Sequence, residues 1–111
     1  MITLEEINAQ IGRSVIINVN KTYNNISLYE ATKKCWRMNI DRAQQAEYVI
    51  SEYRGEIVGV FKPESWSVCE KYPDRISFKG EDVTEDYHYL CGRQIPKEKG
   101  SQNPIRYSYL L

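Results

Sequence analysis

Apolar positions recur along this chain in two different periods, and the switches between them outline its elements. Residues 3–11 carry Leu4, Ile7, Ala9 and Ile11 on one side, the spacing of a short amphipathic helix. Thr3 stands at the capping position with Glu6 three residues on, and Gly12 suits the exit. Val15–Val19 is a β-branched apolar run bounded by polar residues, the signature of a buried strand. The Asn-rich stretch 20–26 suits a loop. Ser27 and Glu30 then repeat the capping-box spacing. Leu28, Ala31 and Cys35 share a face at i, i+3, i+7, with Tyr29 and Trp36 on an adjacent face and Lys33, Lys34 and Arg37 projecting elsewhere. Asp41 is expected to cap a short turn through Ala43 and Ala46.

From Tyr48 the period shortens to two. Tyr48–Tyr53 and Glu56–Phe61 flank Arg54-Gly55, which predicts a β-hairpin. Pro63 is expected to end the second strand or send it to an edge, and Gly59 marks a bulge or a close backbone approach. Ser65–Cys69 and Arg75–Lys79 read as further short strands, the latter placing Ile76 and Phe78 on one face and ending at Gly80. Residues 81–86 form an acidic loop or helix start. A strand near Arg93–Ile95 and a last aromatic strand in 104–110 close the chain. The expectation is one α+β domain over 1–111, with short helices and a mainly antiparallel, curved sheet of five to six strands, closing partly into a barrel.

Charge changes this picture more than composition does. The 111 residues are 41% hydrophobic and 27% charged, with a formal net charge of zero. Yet residues 31–46 hold four basic side chains against one acidic, and residues 91–107 do the same, a net +3 each. Residues 47–90 hold five basic and ten acidic ones. Such segregation allows one basic face on a neutral protein. No apolar run reaches membrane-spanning length and the amino terminus lacks a secretory pattern, which points to a cytoplasmic protein. Cys35, Cys69 and Cys91 are odd in number and form no CxxC pair, so three reduced thiols are expected rather than a disulfide framework.

The sequence holds no phosphate-binding glycine loop, zinc-protease helix or nucleophile elbow. His88 and Cys91 form an isolated H-x-x-C pair, too sparse for zinc, and Glu81-Asp82 and Glu85-Asp86 read as a solvated acidic loop rather than a magnesium site. No metal and no cofactor is expected, and no catalytic residue is assigned. Nine Tyr and two Trp are more informative. Trp36 beside Arg37, with Arg42 five residues on, offers a stacking surface next to guanidinium groups. In KGSQNPIRY, residues 99–107, the side chains of Gln102, Asn103 and Arg106 suit base edges or phosphates.

The blocks LYEATKKCWRMNIDRAQQAEYVISEYRGEIVGVFKPESW, RISFKGE and KGSQNPIRY together resemble the region that follows the nuclease in bacterial LEM-like GIY-YIG endonuclease proteins. The resemblance spans about residues 15–107. The nuclease itself is absent, so its activity does not carry over. Lys34-Cys35 also replaces the Arg-Gly type of pair that usually precedes the Trp. The strand order and the Trp-plus-basic helix are similar to the PUA-like group, which by fold analogy implies a reader of modified bases.

These readings converge on a small nucleic-acid- or nucleotide-binding module. Trp36 would stack, Arg37 and Arg42 would hold phosphate, and Gln102, Asn103, Arg106 and Tyr107 would complete the site. The alternative is a protein-interaction domain partnering a defence or repair nuclease. An enzyme acting on nucleotides is a third reading, less favoured for want of catalytic groups.

Overall fold

The computed structural model describes residues 1–23, 26–97 and 103–109. Helix α1, Leu4–Ile11, starts where its cap places it. The Thr3 hydroxyl accepts from the Glu6 amide at 3.1 Å, and the Glu6 carboxylate accepts from the Thr3 amide at 3.2 Å. These bonds hold the Glu6 carboxyl below its ordinary range. Helix α2, Leu28–Lys33, is shorter than its apolar spacing predicts. Ser27 accepts from the Glu30 amide, but the Glu30 carboxylate turns to Lys33 Nζ at 3.2 Å instead of closing a capping box. Helix α3, Ile40–Ala43, is capped by Asn39 rather than by Asp41, the Asn39 side chain accepting from the Arg42 amide.

Five strands form one open sheet: β1 Ser14–Asn18, β2 Tyr48–Tyr53, β3 Glu56–Val68, β4 Ile76–Asp82 and β5 Ile105–Tyr107, in the order β4-β3-β2-β1-β5. All neighbours are antiparallel except β1 and β2, which run parallel because α2 and α3 make the crossover between them. The fold is α+β, with a mostly antiparallel sheet.

Alternation along the strands splits the core into two layers. Val15, Ile17, Val49, Phe61 and Phe78 pack on one face, under Leu28, Tyr29, Ala31 and Trp36. Ile16, Ile50, Ile57 and Val60 pack on the other, under Ile7 of α1 and Leu90 of a 3-10 helix, Thr84–Leu90. Polar bonds fix α2 on its face: the hydroxyls of Thr32 and Ser51 meet at 2.8 Å, and Tyr29 accepts from the Gly80 amide at 3.1 Å.

Arg54 and Gly55 turn the β2–β3 hairpin, both at positive φ. Val58 is the extra residue of a bulge beside Gly59, and a β-carbon at Gly59 would lie 2.5 Å from Leu28 Cδ2. The bulge expected at Gly59 is therefore present, and the close approach there is by a side chain rather than by another backbone.

Several expectations need correction. Pro63 does not end its strand; among the described strands β3 pairs past Phe61 with β4 alone, so Pro63 sits on an edge, the other outcome expected for it. β3 continues to Val68 and absorbs the strand expected at Ser65–Cys69, so the described residues form a sheet of five strands, within the expected five to six. Pro63 is tolerated because β2 pairs with β3 only as far as Phe61, and a second bulge falls between Pro63 and Ser65. Gly80 likewise lies inside β4, where it faces Pro63. The strand expected near Arg93–Ile95 is a single bridge between Glu56 and Gln94. Among the described residues the sheet does not close into a partial barrel: β4 pairs with no strand but β3 and β5 with none but β1, leaving two edges. Cys35 and Cys69, expected as free thiols, form a disulfide, and Cys91 is free. Their separation of 34 residues gave no local signal; the pairing arises because the exit of α2 lies against the β3–β4 turn, with Cα atoms 6.5 Å apart. Among the described residues no helix is long and apolar enough to cross a membrane.

Candidate functional site

The site begins where α2 stops. Lys34 leaves the helix in an extended conformation, and Trp36 pairs with Ile76 of β4 through two backbone hydrogen bonds of 2.9 Å. Trp36 is thus an added rung beside the sheet and not a helix residue. Its indole N–H donates to the Thr32 carbonyl at 2.6 Å, and one part of its ring packs on the core. The rest lines a cleft of about 740 Å³.

The opposite wall is the turn between β3 and β4. Cys69 and Arg75 bond across it, the Cys69 amide donating to the Arg75 carbonyl at 3.0 Å. This brings Tyr72 and Arg75 to face Lys34, Trp36 and Arg37. The Arg75 guanidinium lies 5.0 Å over the Tyr72 ring, a cation–π contact. Its Nε is buried and makes no hydrogen bond to any described residue. Arg37 reaches Asp74 at 3.1 Å, but the two side chains are 74% and 58% exposed, so solvent screens the pair and leaves it easily exchanged.

Asn103 and Pro104 form the third side of this cleft. The same two residues line a neighbouring cavity of about 440 Å³ with Lys21, Thr22 and Trp36, and a further one of about 420 Å³ with Arg54, Lys97 and Arg106. The three cavities thus adjoin at Asn103-Pro104, the first with a mixed aromatic and basic lining and the last mainly polar.

The expected site residues divide within this frame. Trp36, Arg37 and Asn103 come together in the cleft. Arg106 lies in the polar cavity, and its guanidinium is committed to the protein: Nη2 donates to Glu52 at 2.9 Å and Nη1 to the Pro96 carbonyl at 2.7 Å. The Arg106 and Glu52 side chains are only 13% and 5% exposed, so this is a buried pair joining β5 to β2. Arg42 is exposed and stands apart, lining none of the three cavities. Its carbonyl accepts from the Tyr109 hydroxyl at 2.6 Å. Tyr107 packs edge-on to Tyr109; burial raises its phenol pKa and the nearby Arg42 charge opposes that rise. Neither residue joins Trp36 in a cavity. Gln102 lies outside the described residues.

Sequence reasoning missed Tyr72 and Arg75. Only the pairing of Cys35 with Cys69 could have signalled that the β3–β4 turn meets the Lys34–Arg37 segment. No family model matches this chain, and neither a curated protein nor a solved structure is found to be similar to it.

Proposed function

We propose that the cleft between Trp36 and Tyr72 binds a nucleotide unit of single-stranded nucleic acid, making this a small nucleic-acid-binding module. One observation carries the reading: Lys34, Arg37 and Arg75 converge on a concave surface with two aromatic rings. Cations and aromatic faces at one place are what phosphate and base require together. The volume suits a nucleotide-sized ligand. The cavities adjoining at Asn103-Pro104 supply a track for the neighbouring backbone toward Lys21, Lys97 and Arg54. A PUA-like reader of modified bases, and the role of a module associated with GIY-YIG nucleases, are finer versions of the same proposal. We also place the protein in the cytoplasm, where such a ligand is met.

Fluorescence anisotropy with a labelled deoxythymidine oligonucleotide tests this. Binding is expected at low salt, with log Kd rising against log salt at a slope of about 2 for three neutralised phosphates. Lys34→Ala and Arg75→Ala should each weaken it about tenfold. A chain with no affinity at low salt, or affinity unchanged in both variants, sinks the reading.

A second reading, a protein partner for a nuclease, is favoured by the β3–β4 hairpin end, where Val68 and Tyr72 are 52% and 51% exposed. A stable protein complex lost in Val68→Asp, without any nucleic-acid affinity, would select it.

A further inference from the structure

We propose that the Cys35–Cys69 disulfide is a redox latch on the cleft, so that its reduction lowers affinity for nucleic acid; this rests on the binding function inferred above.

The two walls of the cleft come from segments far apart in sequence. Lys34, Trp36 and Arg37 follow α2, whereas Tyr72 and Arg75 sit on the β3–β4 turn. Among the described residues, three ties hold the walls together. The first is the pair of Trp36–Ile76 backbone bonds. The second is the Arg37–Asp74 ion pair, too exposed to hold either segment firmly. The third is the disulfide, the only covalent tie among the described residues, and Cys35 itself lines the cleft. The indole bond of Trp36 runs back to Thr32 of α2 and does nothing for the opposite wall.

Both cysteines are partly exposed, so a reductant reaches them. The co-reactant is a dithiol. Its thiolate attacks one sulfur of the Cys35–Cys69 bond, the bond breaks, and a mixed disulfide forms while the other cysteine leaves as a thiolate and takes up a proton. The second thiol of the reductant then resolves the mixed disulfide. The protein gains two electrons and two protons, and the dithiol becomes a cyclic disulfide. Cys91 takes no part, since it ends the 3-10 helix, which packs on the other face of the sheet. Burial raises its thiol pKa, which slows exchange further. In a reducing cytoplasm a disulfide of this kind is transient and regulatory rather than a permanent staple.

The test compares the oxidised protein with the same protein reduced by dithiothreitol, and with Cys35→Ser/Cys69→Ser. Amide NMR spectra report the cleft, and anisotropy with the labelled deoxythymidine oligonucleotide reports binding. On reduction, the Arg37, Tyr72, Arg75 and Ile76 amide signals should shift or broaden, while those of β1 and β2 keep their positions and so verify the fold. Affinity should fall about tenfold, as expected when an ordered site must first be re-formed, and reoxidation by oxidised glutathione should restore it. Unmoved signals at those four residues, or equal affinity in both redox states, overturn the latch. An oxidised protein that binds no oligonucleotide at low salt overturns the binding function instead; the NMR comparison then still decides whether the disulfide holds the cleft.

Discussion

Arg106 and Tyr87 show how a residue's neighbours decide its role. As a residue type, Arg106 suits phosphate, and its placement in an Asn-Pro-Ile-Arg-Tyr loop encouraged that expectation. The structure gives it a different partner, since Glu52 on β2 is nearly inaccessible and needs a counter-charge. Sequence could not reveal this, because 54 residues separate the two and nothing marks Glu52 as buried. Arg106→Ala should therefore cost about 3–5 kcal/mol, most of it the penalty of an unpaired buried carboxylate. Replacing both by Met should cost much less than the sum of the single changes, as denaturant titrations of the four proteins would show. Tyr87 makes a second residue-scale prediction. Its hydroxyl bonds that of Tyr48, and this bond, with burial, pushes its pKa up to about 12 from 10.0. The folded value lies above the unfolded one, so the stabilisation is complete below pH 10 and is lost as pH rises from 10 through 12. Tyrosinate absorbance should show Tyr87 among the late-titrating phenols, with Tyr107 and Tyr109, and only the Tyr87 phenol should move toward the ordinary value in Tyr48→Phe.

At the scale of elements, local signals were readable wherever local chemistry alone set the outcome. Thr3, Glu6 and Gly12 bound α1 as their types require, and Arg54-Gly55 turns the hairpin. The failures lie where a distant contact overrode a local preference. α2 stops at Lys33 because Cys35 and Trp36 are drawn to the β3–β4 hairpin. Pro63 and Gly80 look like strand ends in sequence, yet they oppose each other inside one long hairpin, where the bulge lets proline in and the glycine lets the chains close. A β-carbon at Gly80 would meet the Lys62 carbonyl oxygen at 2.4 Å and the Pro63 Cα at 2.9 Å. Both obstacles are backbone and neither can turn away. At Gly59 the nearest obstacle is the end of the Leu28 side chain, which can. Gly80→Ala should accordingly destabilise by roughly 2–3 kcal/mol and Gly59→Ala by about 1 kcal/mol. Equal midpoints in urea for the two variants would show that the hairpin adapts at Gly80.

At the scale of the whole molecule, the described basic side chains of the two charge-rich segments are not all gathered in one cleft. Arg37 reaches Asp74 from the acidic middle segment, Arg106 turns inward to Glu52, and Arg42 stands away from the cleft. What the fold does bring together is the Lys34–Arg37 segment, the β3–β4 turn and Asn103-Pro104. Their assembly depends on a bond between cysteines 34 positions apart, and that bond also bears on the stability of the whole chain. A loop of this length, closed in the unfolded state, removes entropy worth about 4 kcal/mol. That is a large share of the roughly 5–15 kcal/mol that holds a domain folded. Cys35→Ser/Cys69→Ser should thus unfold roughly 15–20 °C below the parent, still folded at room temperature. Thiol counting gives the independent check. The oxidised protein should release one slow thiol, Cys91, on unfolding without reductant, and three after reduction. Three thiols in the unreduced protein, with a melting temperature equal to that of the double variant, would mean that Cys35 and Cys69 are not joined in solution, and the cleft would then be held by the Trp36–Ile76 rung and the exposed Arg37–Asp74 pair.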